Sequence, residues 1–289
     1  MVPTKHRNVQ SVFLKYKTHG ILFDCGEGTQ RQMNIAGIKR TEVTKIFLSH
    51  WHGDHVSGII GLLQTLSNSE SRHKIEIYGP KETKKKVGYL FKAVRFDAAI
   101  ELKITDVDAK KIKKISEDDD YVIEAVNVEH GIPCLGYSFT EKDRWRINIS
   151  YLKEMGVPEG PHLQLLQKGK NMIYKGKEIE AKKAASLVRG KKITIIPDTG
   201  MCQNAVDLAY GADVLICEAT FASKHTEKSE KYRHLTAAQA AMIANQANVE
   251  KLYLTHFSQR YENTQEIEED ARAYFNNIVC AYDFMKIVL

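Results

Sequence analysis

Ser49-His50-Trp51-His52-Gly53-Asp54-His55 is the stretch on which the reading of the fold turns. It places three histidines and an aspartate within six residues, a density that packing does not explain. Neutral imidazole is the commonest metal ligand, and carboxylate suits hard, water-bearing sites. In an extended turn His50 and His52 project to one side together. Asp54 and His55, at the start of a helix, reach a neighbouring point, so one short loop can serve two adjacent metal ions. The stretch follows the apolar run 45–49, read as a strand, and precedes residues 56–66, whose apolar spacing suits a helix. Chemistry in α/β folds sits beyond the carboxyl end of a strand, and this loop falls there.

Working outward, residues 11–16 read as a strand, His19-Gly20 as a turn and residues 21–24 as the returning strand of a hairpin. Gly26-Glu27-Gly28 breaks that strand, and a helix starts near Thr29. Residues 75–78 read as a strand closed by a Gly79-Pro80 turn. Strands follow at 122–128, after a solvated turn around 117–120, and at 192–196, 213–217 and 251–254. Residues 236–246 are alanine-rich and helical, with Thr236 as N-cap. Strand clusters interleaved with helices imply an α/β fold with helices packed outside a sheet core.

The 289 residues are 43% hydrophobic, enough for a sizeable core. No run of about 18 apolar residues predicts a membrane span, and the amino-terminal residues lack the apolar region of a secretory signal. The five cysteines are scattered without a CxxC pair, so neither a disulfide framework nor a Cys-based zinc site is signalled, and the pattern suits a cytoplasmic protein with reduced thiols. The formal charge of +6 is unevenly placed: residues 141–192 hold 13 Lys and Arg against 6 Asp and Glu, a net of +7. A solvated lysine-rich surface and a phosphate-gripping element both fit that segment.

His50-x-His52-x-Asp54-His55 matches the HxHxDH signature of metallo-β-lactamase-fold hydrolases. Three further ligand candidates follow predicted strands in order: His130, Asp198 and His256. From Val2 almost to Leu289 the chain resembles the short form of tRNase Z (ribonuclease Z). Phe23-Asp24-Cys25-Gly26-Glu27-Gly28-Thr29-Gln30 looks like its first motif, Glu129-His130-Gly131-Ile132-Pro133 its third and Pro197-Asp198-Thr199-Gly200 its fourth. Glu218-Ala219-Thr220-Phe221 is similar to its HEAT motif, with Cys217 in place of the first His. Thr255-His256-Phe257-Ser258-Gln259-Arg260-Tyr261 resembles the fifth motif. Pro3-Thr4-Lys5-His6-Arg7-Asn8 looks like a substrate-contacting loop, although family members usually carry a strand and a Gly-Thr-Ser turn ahead of it.

The resemblance implies an αββα sandwich: one metallo-β-lactamase-fold domain over residues 1–289, with a protruding basic exosite arm inserted at about 141–190. It implies two zinc ions per subunit. His50, His52 and His130 would hold one, Asp54, His55 and His256 the other, and Asp198 would bridge them. Such a pair lowers the pKa of a shared water for attack on phosphorus. Asp54 is the candidate general base, and His234, oriented by Glu218, the candidate general acid for the ribose oxygen. Arg260, Lys5 and Arg7, with Gly160 and Pro161 of the arm's Gly-Pro motif, would bind substrate. The implied activity is removal of the 3′ trailer from precursor tRNA, cutting after the discriminator base, by a homodimeric cytoplasmic enzyme. Two alternatives remain: a phosphodiesterase or related hydrolase of this fold acting on small molecules, which needs no basic arm, and a catalytically idle metal-containing RNA-binding protein. The 58-residue step from Asp198 to His256 leaves no room for the inserted domain of β-CASP nucleases.

Overall fold

Strands that are apolar at successive positions need cover on both faces, and two sheets between two helical layers supply it. The computed structural model describes residues 1–68, 73–95 and 100–289. Its first sheet runs in the order β1 (Val12–Tyr16), β2 (His19–Phe23), β3 (Val43–Phe47), β4 (Lys74–Pro80), β5 (Glu101–Val107). β1 and β2 form an antiparallel hairpin, and the remaining neighbours are parallel. Parallel pairing requires crossovers, made by α1 (Thr29–Ile35), by α2 (Gly53–Val56) with α3 (Ile59–Ser67), and by α4 (Thr83–Ala93).

The chain continues through β6 (Lys113–Glu117), β7 (Tyr121–Val128) and β8 (Cys134–Glu141) into a long excursion. That arm contains β9 (Arg144–Ile147), α5 (Ile149–Glu154), α6 (Gln164–Gln167), β10 (Met172–Tyr174), β11 (Lys177–Ile179), α7 (Ala181–Ala184) and β12 (Ala185–Val188). It returns to β13 (Lys192–Ile196), α8 (Gln203–Ala209), β14 (Val214–Glu218), α9 (Thr226–Tyr232), α10 (Ala237–Gln246), β15 (Lys251–Thr255), α11 (Gln265–Arg272) and β16 (Ile278–Cys280). The second sheet has seven strands in the order β16-β15-β14-β13-β8-β7-β6.

Period-two alternation sorts the side chains into layers. Ile21, Phe23 and Phe47 face the opposite sheet, whereas Leu22 and Ile46 lie under α1 and α3. On β14, Val214 and Ile216 face inward while Leu215 and Cys217 pack toward α8 and α10. Stacked Phe47 and Tyr78 rings, 4.9 Å apart, and the Tyr137 ring 5.4 Å from Phe47 fill the middle. Tyr137 donates its hydroxyl to the Leu48 carbonyl at 2.6 Å, tying the second sheet to the strand end that precedes the histidine loop.

Three local expectations need correction. The hairpin turn is at Lys17-Thr18, with Lys17 at φ 52°, and His19-Gly20 begins β2. Gly20 serves close approach instead: a Cβ there would lie 2.2 Å from the Glu42 carbonyl oxygen. Gly79-Pro80 is not a turn but the end of β4, paired with Asp106 and Val107. β3 pairs with β4 only as far as Tyr78, so Pro80, which has no N–H, falls where β4 has a ladder on one side only. The helix read over 56–66 is two helices, broken at Ser57-Gly58. Gly58 donates to the Cys25 carbonyl at 2.9 Å, and a Cβ at Gly58 would sit 2.1 Å from the Gly26 oxygen. The helix starting after Thr236 is as read, with a capping box between Thr236 and Gln239.

The arm has its own core, in which Leu152, Val157, Leu163, Leu166 and Met172 are buried together. Its two ends meet where β8 and β13 pair, with Glu141 N donating to Lys191 O at 2.9 Å. Replacing residues 143–189 by a short flexible linker is therefore expected to leave the sandwich folding cooperatively, with its Tm shifted by less than about 5 °C. Thermal unfolding checks this, and loss of a cooperative transition would make the arm part of the same folding unit.

Candidate metal centre

Carboxyl ends of strands from both sheets converge on one point. The loop after β3 supplies His50 and His52, and α2 supplies Asp54 and His55. His130 follows β7, Asp198 follows β13 and His256 follows β15. Ligand atoms of His50, His52, His130 and Asp198 all lie within 4.8 Å of one another, as do those of Asp54, His55, Asp198 and His256. Asp198 belongs to both groups: its Oδ2 is 3.6 Å from His50 Nε2 and 3.5 Å from His55 Nε2, and its Oδ1 is 3.2 Å from His256 Nε2. His52 Nδ1 lies 3.0 Å from His50 Nε2 and 3.2 Å from His130 Nε2.

The rings of His50, His55, His130 and His256 are each aimed by a second partner on the other nitrogen, the arrangement that fixes tautomer and orientation at metal sites. His55 Nδ1 donates to Asp24 Oδ2 at 2.7 Å. The same carboxylate accepts from Ser49 N at 2.7 Å and Ser49 Oγ at 2.8 Å. His50 Nδ1 is 3.0 Å from Ser49 Oγ. His130 Nδ1 donates to the Arg233 carbonyl at 3.1 Å. Thr220 Oγ1 donates to Glu218 and accepts from His256 Nδ1 at 2.9 Å, which turns His256 Nε2 toward the centre. Three of the residues in this shell, Asp24, Arg233 and His256, have left-handed backbones at φ 57°, 53° and 59°. Such strain costs of order 1–3 kcal/mol each and clusters at functional sites.

The electrostatics suit a cation. Asp198 is 2% exposed, and its Oδ1 has no hydrogen-bond donor. A buried carboxylate oxygen without a donor carries its full desolvation cost, which a metal ion would offset. Burial, reinforced by neighbouring histidines, lowers the pKa of His50 to about 2 and also lowers those of His52 and His130, keeping the rings in the neutral form that binds metal. Burial opposes ionisation of Asp54, whereas His256 and His55 favour it and hold the acid anionic. Asp198 is likewise held anionic against burial by His256 and His55. A clustered N and O donor set of this kind fits divalent transition metals.

His234 and Glu218 adjoin the centre. His234 Nδ1 is 3.1 and 3.2 Å from the two Glu218 oxygens and 4.0 Å from Asp198 Oδ2. Glu218 also accepts from Thr199 N at 2.8 Å, so its lone pairs are engaged by the protein rather than turned to a metal. Burial would lower the His234 pKa, but Glu218 and Asp198 reverse that and raise it. The short loop holding His234 is pinned by the left-handed Arg233 on one side and the Thr236 cap on the other.

The substrate-binding candidates are dispersed. Arg260 is exposed, stacked over Phe221 with 5.0 Å from its Cζ to the ring centroid, and donates to Ser258 Oγ at 3.1 Å. Arg7 donates to the Tyr261 carbonyl beside it, and Lys5 is exposed on the same loop. Gly160 and Pro161 lie in the arm, Pro161 opening a short 3-10 turn, and are not brought to the metal centre. The sequence reading assigned no role to Asp24, Thr220 or Arg233. Asp24 did carry a signal, the lone carboxylate at the end of β2 inside Phe23-Asp24-Cys25-Gly26. The carbonyl of Arg233 carried none, because backbone acceptors leave no mark on a sequence.

A sequence model of the metallo-beta-lactamase superfamily matches residues 5–137. Ribonuclease Z of Protochlamydia amoebophila (strain UWE25) is 35% identical over 285 residues, covering 98% of this chain and 92% of the relative. Ribonuclease Z of Thermobifida fusca (strain YX) is 36% identical over 292 residues, covering 100% and 91%. Among solved structures, human tRNase Z, short form, superposes with a TM-score of 0.72 at 26% identity, covering 98% of this chain and 93% of that one.

Asp24→Asn keeps the shape of the side chain and tolerates the left-handed backbone, but removes the charge that His55 leans on. Metal affinity is expected to fall about 10–100-fold, read by competition with a chromogenic chelator. Unchanged affinity would leave Asp24 a role in packing alone.

Proposed function

The chain belongs to the ribonuclease Z family of the metallo-β-lactamase superfamily, and from that membership we infer that it is a hydrolase, an endoribonuclease that removes the 3′ trailer from precursor tRNA. The observation that carries this reading to its residues is the His234–Glu218 pair set beside the two ligand groups that share Asp198. We read the chain as one domain with an inserted arm, cytoplasmic in keeping with five unpaired thiols and working as a homodimer as the family resemblance implies. Among the described residues no helix is long and apolar enough to cross a membrane.

In this proposal two zinc ions would be held by the two ligand groups, one by His50, His52 and His130 and the other by Asp54, His55 and His256, with Asp198 common to both. When bound, the metals supply positive charge to the phosphate and a water acidic enough to attack it near neutral pH. The protein's own groups do the rest. Asp54, held anionic beside His256 at 3.4 Å, accepts the proton of the attacking water. Glu218 fixes His234 through Nδ1, so that Nε2–H faces outward to protonate the departing ribose 3′ oxygen. Arg260 holds a phosphate near the centre, and Lys5 and Arg7 line the approach. The lysines of the arm, with Gly160 and Pro161, grip the folded body of the tRNA by shape and phosphate. The small-molecule phosphodiesterase reading leaves the net +7 of residues 141–192 without a role.

Incubation with a labelled precursor bearing a 3′ trailer, with both new ends mapped, tests the reading. The tRNA is expected to end in a 3′ hydroxyl just after the discriminator base, and the trailer to begin with a 5′ phosphate. A 2′,3′-cyclic phosphate would mean attack by the RNA's own hydroxyl and would overturn the mechanism. His234→Ala is expected to slow RNA cleavage by about 10²–10⁴-fold while affecting an activated aryl phosphodiester far less, since that leaving group needs no proton. Equal losses on both substrates would make His234 a binding or positioning residue.

A further inference from the structure

Residues 81–95 hold six Lys or Arg (Lys81, Lys84, Lys85, Lys86, Lys92, Arg95) against Glu82 alone, a net of +5. The cluster vanishes when charge is summed over everything outside 141–192, which comes to −1. It is not remote from the metal centre. Trp51 stands in sequence between the ligand candidates His50 and His52 and donates its indole N–H to Thr83 Oγ1 at 2.9 Å, docking the first turn of α4 onto the histidine loop. The Lys86 ammonium lies 5.4 Å from the centroid of the Trp51 ring, and Lys85 lies 5.8 Å from that of Tyr89, which is 54% exposed. α4 buries Thr83 and Val87 and leaves Lys84, Lys85 and Tyr89 open. Among the described residues the acidic groups facing it are few: Glu82, 3.7 Å from Lys85, and Asp106, which accepts from Lys84 N at 2.8 Å.

Resting on the endoribonuclease reading above, we propose that Trp51, Lys85, Lys86 and Tyr89 form the track on which the single-stranded 3′ trailer lies as it leaves the metal centre. An exposed ring flanked by cations, as Tyr89 is, is what unpaired RNA binds, bases stacking on the ring while ammonium groups meet phosphates; Trp51 is half-buried against the core with Lys86 over its ring and anchors the track to the histidine loop. The acceptor stem is a poorer occupant. Its bases are paired and stacked inside an A-form helix, which proteins read by shape and backbone, and it has few free base faces for Tyr89. The track starts within the metal loop itself, so a strand lying on it is continuous with the bond to be cut. From Thr83 to Lys92 the helix advances about 13 Å, room for a short run of nucleotides. The arm and the ridge then divide the substrate, the arm taking the folded body and the ridge the piece that is discarded.

Two precursors of one tRNA, with trailers of one nucleotide and of about twelve, test the division of labour. In Tyr89→Ala, and in the double variant Lys85→Ala with Lys86→Ala, kcat/KM for the long-trailer precursor is expected to fall at least about fivefold relative to the short-trailer precursor, the low end for loss of one stacked base. The loss should lie in KM. An equal loss on both precursors would mean that the ridge serves the tRNA body or braces the metal loop, and no loss would mean a solvated basic surface; either overturns the proposal. Binding of a labelled twelve-nucleotide RNA of the trailer sequence to the full chain is the second readout. If the wild-type chain cuts neither precursor, the endoribonuclease reading fails, and this binding still decides the ridge. Weakened binding in Tyr89→Ala supports it, and binding unaffected by the substitution, or absent altogether, overturns it.

Discussion

A carboxylate buried as completely as Asp198 cannot be left alone. Moving such a charge out of water costs several kcal/mol even after the protein relaxes, and one of its oxygens has no donor from the chain. What surrounds Asp198 is organised around that cost. Histidines reach it from both sheets, their outer nitrogens tied to Asp24, Ser49, Thr220 and the Arg233 carbonyl, so that their inner nitrogens share the space around it. The sandwich supplies the rigidity this needs. Tyr137 bridges the sheets immediately ahead of the histidine loop, and the close contact of Gly58 with Gly26 locks that loop to the end of β2.

The sequence was most informative where the chemistry is local. His50, His52, Asp54 and His55 reveal themselves by spacing, because one loop supplies them all. His130, Asp198 and His256 are single residues whose meaning depends on strands pairing correctly over long separations; the order of predicted strand ends, together with family resemblance, made them legible. The misread elements share a cause. Gly20 and the Gly79-Pro80 pair were taken as local punctuation and Gly58 as the interior of a helix, whereas each answers a neighbour distant in sequence: a carbonyl at Glu42, the limited reach of the β3–β4 ladder, and a backbone at Gly26. Local rules cannot distinguish a glycine that turns the chain from one that lets another segment come close.

Charge was read with the same partial success. Summing over long blocks brought out the arm and concealed α4, because the acidic residues offsetting its lysines lie elsewhere, as at 117–120. Over distances longer than about 8–10 Å, salt screens one patch from another. The physically relevant charge is therefore the charge within such a radius in the folded molecule. Lys86 over Trp51 and Lys85 over Tyr89 become visible only once the helix is seated on the metal loop.

The division of the ligands between the two halves of the chain also has a temporal side. Asp54 and His256 are 202 residues apart. At 5–20 residues per second a ribosome needs roughly 10–40 s to deliver the second after the first. For that interval the nascent chain carries His50, His52, Asp54 and His55 without the residues that complete the pocket. An unfinished imidazole-rich chelator of this kind binds divalent metals in the order set by their intrinsic affinities, with copper ahead of zinc. Under the two-zinc reading proposed above, discrimination against copper would fall to the second sheet, when it closes over the first, and to whatever the cell does to keep free copper scarce while the chain is still being made.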